Sequence, residues 1–142
     1  MAASSSGLSD EIVSQLLTVA RDFAARAYVP YSNFPVGAAV LTEDGTIVGG
    51  VNIENASFGL TCCGERTAIF TAAALGYRTI AAVAVSAPRQ PGTTPCGACR
   101  QVLNEFKPES GEMTVLLDTG AEPIQTTLGT LLPYAFGPRD LD

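Results

Sequence analysis

Histidine is missing from all 142 residues. Its absence removes every mechanism that needs an imidazole base, including Ser-His and Cys-His nucleophilic catalysis, and it removes His as a metal ligand. Hydrolytic chemistry in this chain has to run on carboxylate, thiolate or metal. Tryptophan is absent too, and only 15% of residues are charged against 46% hydrophobic, a balance that packs into a core rather than staying disordered. Basic residues are few and scattered: eight Lys and Arg against fourteen acids leave a net charge of −6. Nucleic-acid affinity rests on a basic track that displaces counterions, so no nucleic-acid partner is expected. No apolar run approaches the roughly 20 residues of a membrane span, and Met1 to Gly7 reads as a small polar tail rather than a signal peptide. The expectation is a soluble, cytoplasmic protein with no membrane partner. Residues 1–142 are read as a single domain, long enough to bury roughly 68–70% of its unfolded surface without disulfides.

What is present falls into alternating segments. Ser9 is a plausible helix cap, with Leu8 and Val13 as a staple pair and Asp10 and Glu11 in the first turn; Ile12, Leu16, Val19, Phe23 and Ala27 then follow helical spacing. Pro30 sets the latest end for that helix. Runs over 34–41 and 46–54 flank Glu43-Asp44-Gly45, whose Asp-Gly pair suits the positive dihedrals of a tight hairpin turn. A helix over 64–75, a buried strand over 79–86, a second helix over about 97–106 and a strand over 114–117 follow, with a weaker strand near 123–126 and a short helix around 128–132. Strands alternating with helices imply crossovers between parallel strands. The fold class is therefore α/β, a three-layer α/β/α sandwich around a mixed, roughly five-stranded sheet.

The chemistry concentrates at two helix starts, Cys63-Gly64-Glu65 and Pro95-Cys96-Gly97-Ala98-Cys99. The positive end of a helix and its unpaired amides lower thiol pKa values, and a metal ligand must be deprotonated. Cys96 and Cys99, three apart, face the same way. Core cysteines or a thioredoxin-like pair would explain a Cys-x-x-Cys alone, but neither requires a third cysteine followed by an acid on a separate helix start. Cys62 can join a closed four-cysteine site only with irregular backbone, because neighbours diverge by about 100° around a helix. Three ligands, Cys63, Cys96 and Cys99, with an open position are favoured, the pattern of catalytic zinc. A non-ligand Glu two residues after the first ligand is the proton carrier of zinc deaminases, which assigns that part to Glu65.

The chain resembles the small homotetrameric zinc-dependent cytidine deaminase family. The motifs run in order through nearly the whole sequence: residues 31–39 (YSNFPVGAA), 52–56 (NIENA), 63–68 (CGERTA) and 95–101 (PCGACRQ). The resemblance implies hydrolytic deamination of cytidine and deoxycytidine in pyrimidine salvage, with one Zn2+ per subunit. It implies that Asn52 and Glu54 hold the ribose 3'-hydroxyl, that Phe34 packs on the nucleoside beside Gly64, and that Phe136 covers the base from a neighbouring subunit. Gly64 stands where the family usually has Ala, and Phe58 where many members have Tyr. Arg66, one helical turn beyond Cys63, is placed to hydrogen-bond a ligand sulfur and draw charge from a centre that three thiolates leave at formal −1. Rival readings are deamination of another cytosine-bearing small molecule and a non-catalytic zinc-binding interaction module; in the second, Glu65 and the ribose pair would lack a purpose.

Overall fold

The structure is a computed structural model and describes residues 7–109 and 111–141; Met1 to Ser6 of the polar tail lie outside the described residues. Helix α1 (Asp10–Ala24) starts where the side chain of Ser9 accepts the Ile12 amide at 3.1 Å, and its amphipathic face buries Leu16, Leu17, Ala20 and Ala24. It stops well ahead of Pro30. A hairpin, β1 (Gly37–Thr42) and β2 (Ile47–Val51), follows, then α2 (Gly64–Ala74), β3 (Ile80–Ser86), α3 (Gly97–Glu105), β4 (Thr114–Leu117), β5 (Ile124–Thr127) and the single turn α4 (Leu128–Leu131). The strand order is β2-β1-β3-β4-β5, and β3 with β4 is the parallel pair, connected through α3. The other neighbours are antiparallel, so the sheet is mixed.

Period-2 alternation divides the core into two halves. Ala38 and Val40 of β1, Val83 and Val85 of β3, and Val115 and Leu117 of β4 pack with Ala68, Ile69 and Ala72 of α2 and Leu103 of α3. Ala39, Leu41, Ala82, Ala84 and Leu116 face the other way, onto Leu16, Leu17 and Ala20 of α1. Helices therefore cover both faces, giving three layers. Contact between layers is close enough to exclude side chains at two points. A Cβ on Gly37 would stand 2.0 Å from the Ala20 carbonyl oxygen of α1, and one on Gly50 would stand 2.3 Å from the Ala68 nitrogen of α2.

Two local expectations are corrected. The hairpin loop does not place both Asp44 and Gly45 at positive φ; only Gly45 does, at 89°. Gly45 N donates to the Thr42 carbonyl and Thr42 N to the Thr46 carbonyl, which makes this a three-residue loop closed by a left-handed glycine. Residues 34–36, expected in the first strand, lie outside it. The Asn52 side chain holds them instead, its Oδ1 accepting from Val36 N and its Nδ2 donating to the Phe34 carbonyl, both at 2.9 Å.

Candidate metal centre and active site

Cys63 is the N-cap of α2 and Cys96 the N-cap of α3. Neither side chain makes the hydrogen bond to an amide that a capping residue usually makes, so both sulfurs are left to point elsewhere. They point at each other. Cys63 Sγ lies 3.8 Å from Cys96 Sγ, Cys96 Sγ lies 3.5 Å from Cys99 Sγ, and all three fall within 4.8 Å of one another. Zinc–sulfur bonds of about 2.3 Å in a tetrahedron put sulfurs about 3.8 Å apart, so three corners of that figure are already drawn. The donor set fits zinc, which takes thiolate readily. Cys62 is outside the group. Its backbone forms a bridge with Ile53, donating to and accepting from that residue across 3.0 and 2.9 Å.

Protons are shared unevenly among the sulfurs. Cys63 is held down to about 5, first by a hydrogen bond from Cys99 and then by Arg66, while Cys99 is pushed up by donating to Cys63 and by burial. Arg66 Nη2 donates to Cys63 Sγ at 3.4 Å, and that bond raises the guanidinium's own pKa. Arg66 Nε is buried and has no partner.

Glu65 is 3% exposed, and its Oε1 is buried without a hydrogen-bond partner. An orphaned acceptor of this kind is costly in a folded protein, and this one is close enough to Cys63 and Cys99 for their charges to interact. Burial, and secondarily the charge on Cys63, raise the carboxyl to about 7. Such a group can take up and release a proton near neutrality.

The residues expected around a sugar converge on one loop. Glu54 accepts from Tyr31 N at 2.9 Å and Ser32 N at 3.1 Å on one oxygen, and from Ser32 Oγ on the other. These bonds, that of the Ser32 hydroxyl first, hold its carboxyl below the usual range. Tyr31, Ser32, Glu54, Phe58 and Thr61 line a cavity of about 230 Å3. Asn52 is buried with one acceptor lone pair and one N–H beyond its two loop contacts. Phe34 is half-buried, and Gly64 is buried with room for a Cβ only 3.1 Å from the Val36 carbonyl oxygen. Phe136 stands apart from this group in sequence and is 60% exposed.

Two supporting residues were missed in the sequence. Thr67 Oγ1 donates to the Val51 carbonyl at 2.7 Å and accepts from Val51 N at 2.9 Å, pinning the first turn of α2 to the end of β2. Its position one turn beyond Gly64, on the face of α2 that must meet the sheet, was the available signal. Arg89 donates to the Asn33 carbonyl at 2.6 Å, where Asn33 turns with φ of 54° just before Phe34. Nothing local marks Arg89, because the contact spans 56 residues.

Comparison with known proteins agrees with this geometry. Residues 10–114 match the family model described as the cytidine and deoxycytidylate deaminase zinc-binding region. A cytidine deaminase of Sporosarcina psychrophila is 48% identical over 130 residues, 91% of this chain and 94% of that protein. One from Halalkalibacterium halodurans is 50% identical over 82% of this chain and 87% of its own length. The crystal structure of cytidine deaminase from Burkholderia pseudomallei superposes with a TM-score of 0.80 at 43% identity, covering 91% of this chain and 100% of that one. With the zinc-binding region matched across α1 to β4 and relatives this similar over most of their length, the chain belongs to the cytidine deaminase family.

Proposed function

We propose that the chain hydrolyses the exocyclic amine of cytidine and deoxycytidine, taking up water and giving uridine or deoxyuridine with ammonia. The observation that carries this reading is Glu65, buried with an unpartnered oxygen beside three sulfurs spaced for zinc. Zinc held by Cys63, Cys96 and Cys99 supplies Lewis acidity that brings the pKa of a water from about 15.7 toward about 7. Glu65 takes the proton from the attacking water and delivers it to N3 of the ring as the C4–O bond forms. It then takes the remaining hydrogen from the C4 hydroxyl and passes it to the amine nitrogen as the C4–N bond breaks and the C4 carbonyl forms, so ammonia leaves and the carboxylate ends as it began. A carboxyl raised to about 7 suits both directions of transfer.

Asn52 and Glu54 are assigned the ribose 3'-hydroxyl. Their loop contacts fix both side chains in place, and the hydrogen-bonding capacity left over is directed to the sugar. Phe34 and Gly64 border the base, and Arg66 withdraws charge from Cys63. Phe136 covers the base in a neighbouring subunit of a homotetramer. In support of assembly, Phe58, whose ring lies 5.7 Å from that of Tyr31, and Leu60 are 73% and 69% exposed, apolar surface that needs cover. The chain acts as one domain, in the cytoplasm; among the described residues no helix is long and apolar enough to cross a membrane.

The experiment is incubation of the purified protein with cytidine, following ammonia. Release that stops with a chelator and returns with zinc supports the reading. Bound zinc without ammonia from cytidine or deoxycytidine leaves a zinc-binding module instead. A fully active monomer in sedimentation would remove the shared site.

A further inference from the structure

Helix α3 begins at its N-cap Cys96 and carries Cys99 in its first turn, and the polar side chains that follow take hold of backbone carbonyls. Arg100 donates from Nε to the Pro95 carbonyl at 2.7 Å and from Nη1 to the Leu131 carbonyl at 2.8 Å. Gln101 Nε2 donates to the Phe136 carbonyl at 2.9 Å, and Asn104 Nδ2 donates to the same oxygen at 3.2 Å. Gln101 and Asn104 lie three apart and so share a helix face. Two donors fill both lone pairs of one carbonyl. Gly137 makes room for this, since a Cβ there would stand 2.8 Å from Asn104 Nδ2.

Side-chain packing does little for the segment so held. Tyr134 is fully exposed, with φ of 55° in a region disfavoured for bulky residues, and Phe136 is mostly exposed. A cavity of about 470 Å3 lies between α3 and the segment, lined by Asn104, Leu132, Tyr134 and Gly137 among others. The peptide after Phe136 is therefore held by hydrogen bonds rather than by packing of the ring: Gln101 and Asn104 take its carbonyl, and Asp140 Oδ2 accepts its Gly137 N–H at 2.7 Å.

We infer that Gln101 and Asn104 are positioning residues for substrate binding: by fixing the peptide plane after Phe136 they aim its ring at the base. The inference rests on the reading of Phe136 given above. A ring already aimed loses little freedom when nucleoside binds; a ring on a loose segment must be ordered by the substrate, which raises KM and leaves the proton transfers at Glu65 untouched.

The test uses the full chain loaded with zinc. Gln101→Met combined with Asn104→Leu removes both donors at similar volume. KM for cytidine is expected to rise roughly 3–10-fold, with kcat and zinc content close to wild type. In a Phe136→Ala background the same pair should change KM little, because the residue it positions is gone. The chain has no tryptophan, so Phe136→Trp gives a single reporter whose emission anisotropy should fall when the two substitutions are added. Equal KM effects with and without Phe136, unchanged KM, or unchanged anisotropy each overturn the inference. A Phe136→Ala variant with normal KM overturns the reading of Phe136 itself, and the inference with it. Should the combined variant not fold, Gln101→Met alone, at an exposed position, carries the same measurements.

Discussion

A buried carboxylic acid keeps its proton until something nearby takes it, and Glu65, 3% exposed, is built on that principle. Its charge is penalised by burial and by Cys63, which raise the carboxyl from its ordinary range to about 7. Replacing it by Gln keeps the shape and the buried volume and removes the proton. Glu65→Gln is expected to retain zinc and to lose at least ~10²–10⁴-fold in turnover, the usual range for a general acid–base group. Metal content and single-turnover ammonia release check this, and near-normal turnover would end the role assigned to Glu65. Arg66 works on the sulfur rather than the substrate. Arg66→Gln takes away the guanidinium 3.4 Å from Cys63 Sγ, and zinc affinity should fall roughly 10–100-fold in a competition titration. Unchanged affinity would reduce Arg66 to a partly buried cation with no influence on the metal.

Helix α2 has to lie at a fixed depth on the sheet for Cys63 to reach Cys96. Two features of sequence set that depth: Thr67, bonded to Val51 through its hydroxyl, and Gly50, which leaves no side chain under Gly64 and Ala68. A Cβ at Gly50 would meet main chain, which cannot swing aside. Gly50→Ala should therefore cost about 1–3 kcal/mol in unfolding free energy, the range for overpacking, and lower zinc affinity as well. Denaturant midpoints with and without zinc separate the two effects; a midpoint equal to wild type would show the layers to be less tightly pressed.

Elements of this kind were largely legible from local pattern. Ser9 marks the start of α1, the strand over 114–117 is β4, and Gly76 marks the end of α2 within a residue or two, whereas α1 ends at Ala24, short of the expected Ala27; the Cys63 and Cys96 caps were readable from spacing and helix-start chemistry. The loop over 31–36 was not. Its shape is dictated by Asn52, Glu54 and Arg89, which lie far along the chain, so an apparently continuous strand pattern from Phe34 gave way to side-chain tethers.

At the scale of the whole molecule, an ion pair adds to the apolar packing that holds the outer layer. Arg21 of α1 meets Asp118, beyond β4, through Nε at 2.9 Å and Nη2 at 2.7 Å, and Ser86 Oγ donates to the same carboxylate at 2.8 Å. Residues 97 positions apart leave no local trace of such a contact. The Arg21 hydrogen bonds, then the Gly120 amide and Ser86, hold Asp118 down to about 2. A lowered folded-state pKa means the stabilisation is full above the unfolded value of about 3.9 and disappears as pH falls through about 2. Because Arg21 is nearly half exposed, solvent screening limits the contribution to about 1 kcal/mol. Asp118→Asn should thus be less stable than wild type at pH 6 by about that amount, and the gap should close between pH 4 and pH 2 in urea titrations. A gap that persists at pH 2 would assign it to packing.

The clearances at Gly37 and Gly50 have a consequence for how substitutions in this protein sort by outcome. Both positions sit where main chain faces main chain, so every alternative residue is larger than the space. A saturation screen scored by survival would rank them beside Glu65 and Cys63 as intolerant, although they serve as spacers. Only a screen that scores metal retention and turnover separately would sort the spacers from the proton carrier: at Glu65 the protein keeps its metal and loses its reaction, whereas at Gly50 the metal site itself loosens.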